Sequence, residues 1–413
     1  MSGRLVRLVC IAATAATTVL APAPATAAPE PGPAKDPASV QDSASVAGLL
    51  TDLQQLYRQA EEATEAYNAT EEKLKKQRAE TDRLDRALAR TRLSLHDSRG
   101  AAGRLARQQY QSSTDISPYL RLLLARDPQH AIDQGHVIGR LARERAETVG
   151  RLTGSERKAR ELARQARRAL DQQLALIERR KKERDEVRER LHDIEALLAS
   201  LSRDQLTALA TFEKNGIEEA QKKFMASGAL SISGADGSNG ARGSSVRRPS
   251  AEGGRAVSYA VRQLGKPYEW GAEGPKSYDC SGLTSQAWAE AGTPIPRTSQ
   301  EQWKRLKRVP LTELRPGDLV VYFPKATHVA LYLGDGMVVQ APRPGAKVKV
   351  SPIAANPVLG AVRPDPDGEP LRRYEPPELP EWATDGSDEG YDGYEGFARE
   401  ADYAAPAPDT STR

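Results

Sequence analysis

From Leu49 onward, apolar and small residues recur at alternating steps of four and three. The row runs Leu49, Leu53, Leu56, Ala60, Ala63, Tyr67, Thr70, Leu74, Gln77, Thr81, Leu84, Leu88, Thr91, Leu95. This is the spacing of a coiled-coil seam, with Glu, Lys and Arg on the faces between. Gly100, Gly103 and Ser112-Ser113 loosen the pattern, and an apolar piece, Ile116 to Leu124, reads as a short cap closed by Asp127-Pro128. A second seam passes through Ala159, Ala163, Ala166, Leu170, Gln173, Ile177, Arg180, Arg184, Val187, Leu191, Ile194, Leu198 and Leu201, weakened where the two arginines fall. Two long helices separated by a break are expected to fold back as an antiparallel pair. Residues 43–226 are therefore read as one helical arm.

The period changes after residue 250. Ala256, Val257, Ala260, Val261 and Leu264 mark a short amphipathic helix stopped by Gly265. Leu283, Ala287, Trp288 and Ala291 mark a second, stopped by Gly292. Apolar runs then predict strands at Leu319–Phe323, His328–Leu333 and Met337–Ala341, the last two joined by the turn Gly334-Asp335-Gly336. Helices first and antiparallel strands second make an α+β domain over residues 251–364.

Composition fills in the remainder. Residues 1–27 read as a secretory signal, with Arg4 and Arg7 before an apolar run and Ala25-Thr26-Ala27 at its end. Residues 28–42 read as a flexible lead-in, 227–250 as a Gly/Ser-rich linker, and 365–413 as an acidic disordered tail. The expected location is outside the cell membrane. The net charge of +4 is small for 413 residues and argues against a nucleic-acid partner. Scattered His96, His130, His136 and His192 have no metal-ligand spacing, so no metal or other cofactor is expected.

Cysteine use narrows the chemistry. Cys10 lies in the signal and leaves Cys280 alone, without a partner for a disulfide. Cys280 opens the helix stopped by Gly292, where free N–H groups and the helix dipole favour a thiolate. A thiolate attacks carbonyl carbon. His328, at the start of a strand, is the single histidine after residue 192, and Gln340 lies across the hairpin from it. Thiol, imidazole and a polar group that orients the imidazole form a nucleophile–base–orienter set.

Six segments in order carry a resemblance. They are Pro267-Tyr268-Glu269-Trp270-Gly271, Asp279-Cys280-Ser281-Gly282-Leu283, Pro296-Arg297-Thr298-Ser299, Leu314 to Leu319, His328 to Gly334, and Gln340-Ala341-Pro342. Residues 251–363 resemble the NlpC-type bacterial cell-wall endopeptidases, which are papain-like cysteine peptidases. The resemblance implies cleavage of peptidoglycan stem peptides between D-glutamate, through its γ-carboxyl, and a diamino acid. It places Cys280 as nucleophile and His328 as base. Gln340 stands where the family often has a second histidine. Tyr268 is placed near the oxyanion and substrate, Asp279 at a substrate amine, and the Ser281 backbone along the subsite, while Arg297 and Ser299 order their loop. The arm resembles those that engage the division-associated complex FtsEX in related wall hydrolases, and it is expected to regulate or localise the enzyme through contact with the catalytic domain. Two other readings stay open: cleavage of the muramoyl–alanine amide, and a non-catalytic adaptor.

Overall fold

The structure, a computed structural model, describes residues 37–112, 128–230 and 247–383. The signal segment, the cap at 116–124, most of the linker and the tail beyond 383 lie outside the described residues. Among the described residues no helix is long and apolar enough to cross a membrane, and no cluster of His, Cys, Asp and Glu has the makings of a metal site.

Helix α1 spans Pro37–Ser112 and α2 spans Pro128–Ala199. With 76 residues, α1 is about 110 Å long. It begins at Pro37, within the stretch read as lead-in. The helices run antiparallel. Leu50, Leu53, Tyr57 and Ala60 pack on Ile194 and Leu198 near one end, and Leu84 and Leu88 meet Ala166 and Ala169 further along. Between these clusters Ala63, Tyr67, Val187 and Leu191 are buried in the main core, and polar contacts cross the pair as well. Arg180 reaches across to Glu71 at 3.1 Å, and Gln77 Nε2 donates to the Ala169 carbonyl. Helix α3, Arg203–Ala226, starts in a capping box formed by Ser202 and Gln205 and adds Leu206 and Leu209 to the first cluster.

The C-terminal domain opens with α4, Ala251–Val261, and α5, Cys280–Glu290, which pack against each other. Helix α6 is Ser299–Arg305. Six strands follow: β1 Lys307–Val309, β2 Leu319–Tyr322, β3 His328–Gly334, β4 Met337–Gln340, β5 Lys349–Pro352 and β6 Val358–Arg363. They form one antiparallel sheet in the order β1-β6-β2-β3-β4-β5. β2 and β3 are buried along almost their whole length, which explains why they read as unbroken apolar runs rather than alternating ones. On one face Leu319, Val321, Val329, Leu331 and Val339 pack under Leu283, Ala287 and Trp288 of α5. On the other, Val320, Ala330, Tyr332 and Val338 meet Phe224 of α3.

The chain does not leave the domain at residue 364. Leu371 N–H donates to the Pro249 carbonyl, Arg315 holds Asp365, and Ala383 is buried in the main core. The Pro-rich composition hides this, because isolated anchors such as Leu371 and Ala383 carry no period.

Candidate active site

Asp279 caps α5. Its Oδ1 accepts the Gly282 N–H at 2.6 Å, which satisfies one of the free donors of the first turn. Residue 282 must be glycine, since a Cβ there would lie 2.1 Å from the Ala272 carbonyl oxygen. That close approach seats the turn carrying Cys280 against the loop before it. Arg297 completes the arrangement from the α6 loop. Its guanidinium holds Asp279 at 3.0 and 2.6 Å, donates to Ser281 Oγ at 2.8 Å, and pairs with Glu273. Three acidic or polar partners around one buried arginine make this more than loop ordering. Replacing Arg297 by alanine leaves Asp279, which is fully buried, without its counter-charge. An unfolding titration of Arg297→Ala should show a loss of about 3–5 kcal/mol.

Cys280 is only 4 % exposed. It lies beside the start of β3, where the Val329 N–H hydrogen-bonds to it. The neighbouring His328 is completely buried. Its Nε2 is 2.7 Å from Gln340 Oε1, and Gln340 Nε2 in turn donates to Ser351 Oγ at 2.8 Å. An amide oxygen only accepts, so Nε2 carries a proton and Nδ1 is the nitrogen left for acid–base work. Tyr268 is buried among the same groups; burial first, then the charges of Cys280 and Asp279, push its phenol up. Thus α5, β3, β4 and the 268–278 loop bring the sequence-derived residues Cys280, His328, Gln340, Tyr268, Asp279 and Ser281 into one neighbourhood.

The arm reaches into it. Glu61, Glu65 and Asn68 lie one turn apart on a single face of α1. Glu61 Oε1 is 3.2 Å from His328 Nδ1, a close approach without hydrogen-bond geometry. Glu65 accepts from Ser281 Oγ at 2.7 Å and from the Ser299 N–H at 2.9 Å. Asn68 donates to Asp279 Oδ2 at 3.0 Å. Tyr67 packs edge-on against Trp270, with centroids 4.9 Å apart. Lys325–Glu62 and Lys75–Glu273 pairs stand at the exposed rim, where they contribute little. On the opposite side α3 holds the sheet edge through Gln221, bonded to Gly336 and Ala354, and Glu213, paired with Arg343.

The electrostatic result is a thiol held neutral. Burial, then Glu65, Asp279 and Glu61, push the Cys280 thiol well above its ordinary range; the Val329 N–H opposes this only weakly. The thiolate expected from the helix start is outweighed first by burial and then by the carboxylates crowding the same space. Burial and the neighbouring Asp279 raise Glu65 to about 7 despite Arg297. Burial alone would lower His328, but Glu61 and Gln340 bring it above the usual imidazole range.

Residues 265–360 match the family described as the NlpC/P60 family. This chain carries an NlpC/P60 domain. A protein named probable endopeptidase from Corynebacterium glutamicum is 47 % identical over 94 residues, 22 % of this chain and 45 % of that one. The peptidoglycan endopeptidase RipA of Mycolicibacterium smegmatis is 37 % identical over 123 residues, 25 % of each chain. The crystal structure of the NlpC/p60 domain of peptidoglycan hydrolase SagA is 31 % identical and covers 27 % of this chain and 97 % of its own, with a TM-score of 0.26. The chain spans less than half the length of these two curated relatives. The NlpC/P60 match holds the loop before Cys280, both catalytic candidates and Gln340. It excludes the arm, and with it Glu61, Glu65 and Asn68.

Those three residues escaped the sequence reading. Their one local signal is spacing: polar residues at 61, 65 and 68 flank the apolar seam, and none is matched by a basic residue four positions on. Arg297 and Ser299 were legible as part of a motif, but their partners were not.

Proposed function

We propose that this chain is an exported peptidoglycan hydrolase that cleaves stem peptides at the bond between the γ-carboxyl of D-glutamate and a diamino acid. The observation that carries the reading is the carboxylate of Glu65 seated on Ser281 Oγ and the Ser299 N–H beside Cys280. A pocket that accepts a carboxylate one step from the nucleophile suits a stem peptide whose D-glutamate keeps a free carboxylate. The relative named peptidoglycan endopeptidase RipA supports the same substrate class.

In this reading, Nδ1 of His328 takes the proton of Cys280 once α1 has left. The thiolate attacks the amide carbonyl while Val329 N–H and the first turn of α5 stabilise negative charge. Imidazolium then protonates the departing amine, and water releases the acyl group from sulfur. Gln340 holds the ring. A neutral amide stabilises imidazolium less than a carboxylate would, which tempers the rate and leaves the roles unchanged.

The arm supplies control. With α1 docked, Glu61 stands at the working edge of His328 and Glu65 fills the carboxylate pocket. A wall-associated partner that binds the arm, such as an FtsEX-type membrane complex, would draw α1 away.

The test is a digest of purified wall peptides analysed by mass spectrometry. Full-length protein carrying Glu61→Arg and Glu65→Arg, which displace the arm, should release fragments cut after γ-D-glutamate, and adding Cys280→Ala should cost at least 10³-fold in rate. Opening of the muramoyl–alanine bond would replace the proposed specificity. Equal digestion by Cys280→Ala would overturn the hydrolase reading.

A further inference from the structure

We propose that Arg343 is a specificity-determining residue on the leaving-group side of the site: it reads a carboxylate on the diamino acid, and so selects a stem peptide built on diaminopimelate over one built on lysine. The inference deepens the hydrolase reading and rests on it for the bond that is cut; the placing of Arg343 rests on geometry.

Arg343 follows Gln340 closely, in a turn that its own domain fixes. Pro342 and Pro344 bracket it and restrict its backbone. Gly345 adopts a φ of 83°, and the Ala346 N–H returns to the Arg343 carbonyl at 3.1 Å. The Ala346 carbonyl accepts the Tyr268 N–H at 2.9 Å, so the turn is tied to the loop that carries Tyr268. None of these bonds involves the arm. The turn therefore keeps its place beside the site whether α1 is docked or not.

The arm shows what the guanidinium accepts. Glu213 of α3 meets it with both oxygens, at 2.7 and 3.1 Å, and the Tyr57 ring of α1 lies with its centroid 5.0 Å from the guanidinium carbon. The ion pair is sheltered, with side chains only 15 and 12 % exposed, unlike the Lys325–Glu62 and Lys75–Glu273 pairs at the rim. A carboxylate presenting both oxygens is the partner that a guanidinium fork matches. Along α1 the order is Tyr57 at Arg343, Glu61 at His328, and Glu65 at Ser281 and Ser299. His328 thus stands between two places that each hold a carboxylate of the arm. From Tyr57 to Glu65 the helix rises about 12 Å. In an extended γ-D-glutamyl-diaminopimelate unit, about eleven bonds, or roughly 13 Å, separate the free carboxylate of glutamate from the one at the far end of the diamino acid. With the first in the place of Glu65, the second reaches Arg343, and the scissile amide falls between them at Cys280 and His328. Lysine ends in an amine alone, which Arg343 repels.

The test compares two synthetic peptides, L-Ala-γ-D-Glu-X-D-Ala, with X either diaminopimelate or lysine, which differ only at the far end of the diamino acid. The enzyme is full-length protein carrying Glu61→Arg and Glu65→Arg to release α1, and Glu213→Gln to free Arg343. Its kcat/KM should favour the diaminopimelate peptide on the order of thirtyfold, the worth of one charge-assisted contact. Adding Arg343→Ala should reduce that preference to about threefold or less by lowering kcat/KM on the diaminopimelate peptide alone. Arg343→Lys keeps the charge without the fork and should retain part of it. Each preference is a ratio measured on one preparation, so a loss of folded protein cancels. Lys325→Ala, which removes the exposed cation that Glu62 of α1 contacts, should leave the ratio as it was. A ratio that survives Arg343→Ala, or that falls with Lys325→Ala instead, overturns the assignment while cleavage itself upholds the hydrolase reading. If neither peptide is cut, the hydrolase reading falls, and calorimetric titration of the same protein with both peptides decides the rest. A tighter hold on the diaminopimelate peptide that Arg343→Ala erases keeps Arg343 as the carboxylate reader, and equal binding of the two peptides overturns it.

Discussion

Replacing Glu61 and Glu65 together by arginine will raise the alkylation rate of Cys280 in full-length protein by about a hundredfold. Both wild-type side chains are buried against the site, one at His328 and the other on Ser281 and Ser299. Arginine at these positions would drive two cations toward Arg297 and the His328 ring. A like charge forced into a buried site costs several kcal/mol, and a hundredfold shift needs only about 2.7 kcal/mol. Undocking also removes two of the carboxylates that hold the thiol neutral, so exposure and reactivity rise together. Iodoacetamide labelling followed by peptide mapping separates Cys280 from Cys10. Glu80→Arg, on an exposed part of the same helix, should label like wild type. If the double variant labels no faster than wild type, α1 does not guard the thiol.

The second large effect is a dependence on pH. Glu65 titrates near 7 when docked and near 4.5 when free, so docking takes up a proton between those values. A raised pKa contributes stability that is complete below the free value and lost as pH climbs through the docked one. His328 is also raised on docking, so its contribution has the same sign and fades above its ordinary 6.5. The arm therefore holds best in acid and loosens as pH rises from about 4.5 past 7. From Glu65 alone the span is about 3 kcal/mol, or on the order of a hundredfold in the docking equilibrium. Spin labels at exposed Lys76 and Lys276 should report a growing long-distance population as pH rises. Glu65→Gln cannot titrate, and should flatten most of the response. A distance distribution unchanged from pH 5 to pH 9 would refute the coupling.

How far the chain could be read in advance follows from the range of each interaction. The strands and α5 were visible because burial leaves a period or a run within a few residues. Cys280 and His328 stood out because each is unique in its domain and each begins an element. Gln340 was legible through the hairpin, whose tight turn fixes register. The Glu65 contacts leave no such trace: Ser281 and Ser299 lie 216 and 234 positions away. On α1 alone, Glu65 is one more acid on a charged helix. Ser351 was missed for a smaller version of the same reason, since only the β4–β5 register brings it beside Gln340.

The spread of those contacts along the chain sets an order of assembly. His328 and Gln340 are 12 positions apart, whereas Asn68 and Asp279 are 211 apart and Glu62 and Lys325 are 263 apart. Long chain closures are entropically late, so the ladder of strands and its sulfur come together before α1 settles over them. Each new molecule thus passes through an interval in which its thiol is formed but uncovered. On the function proposed above, the length of that interval, rather than the strength of the finished lock, would set how much unguarded enzyme a growing cell must tolerate.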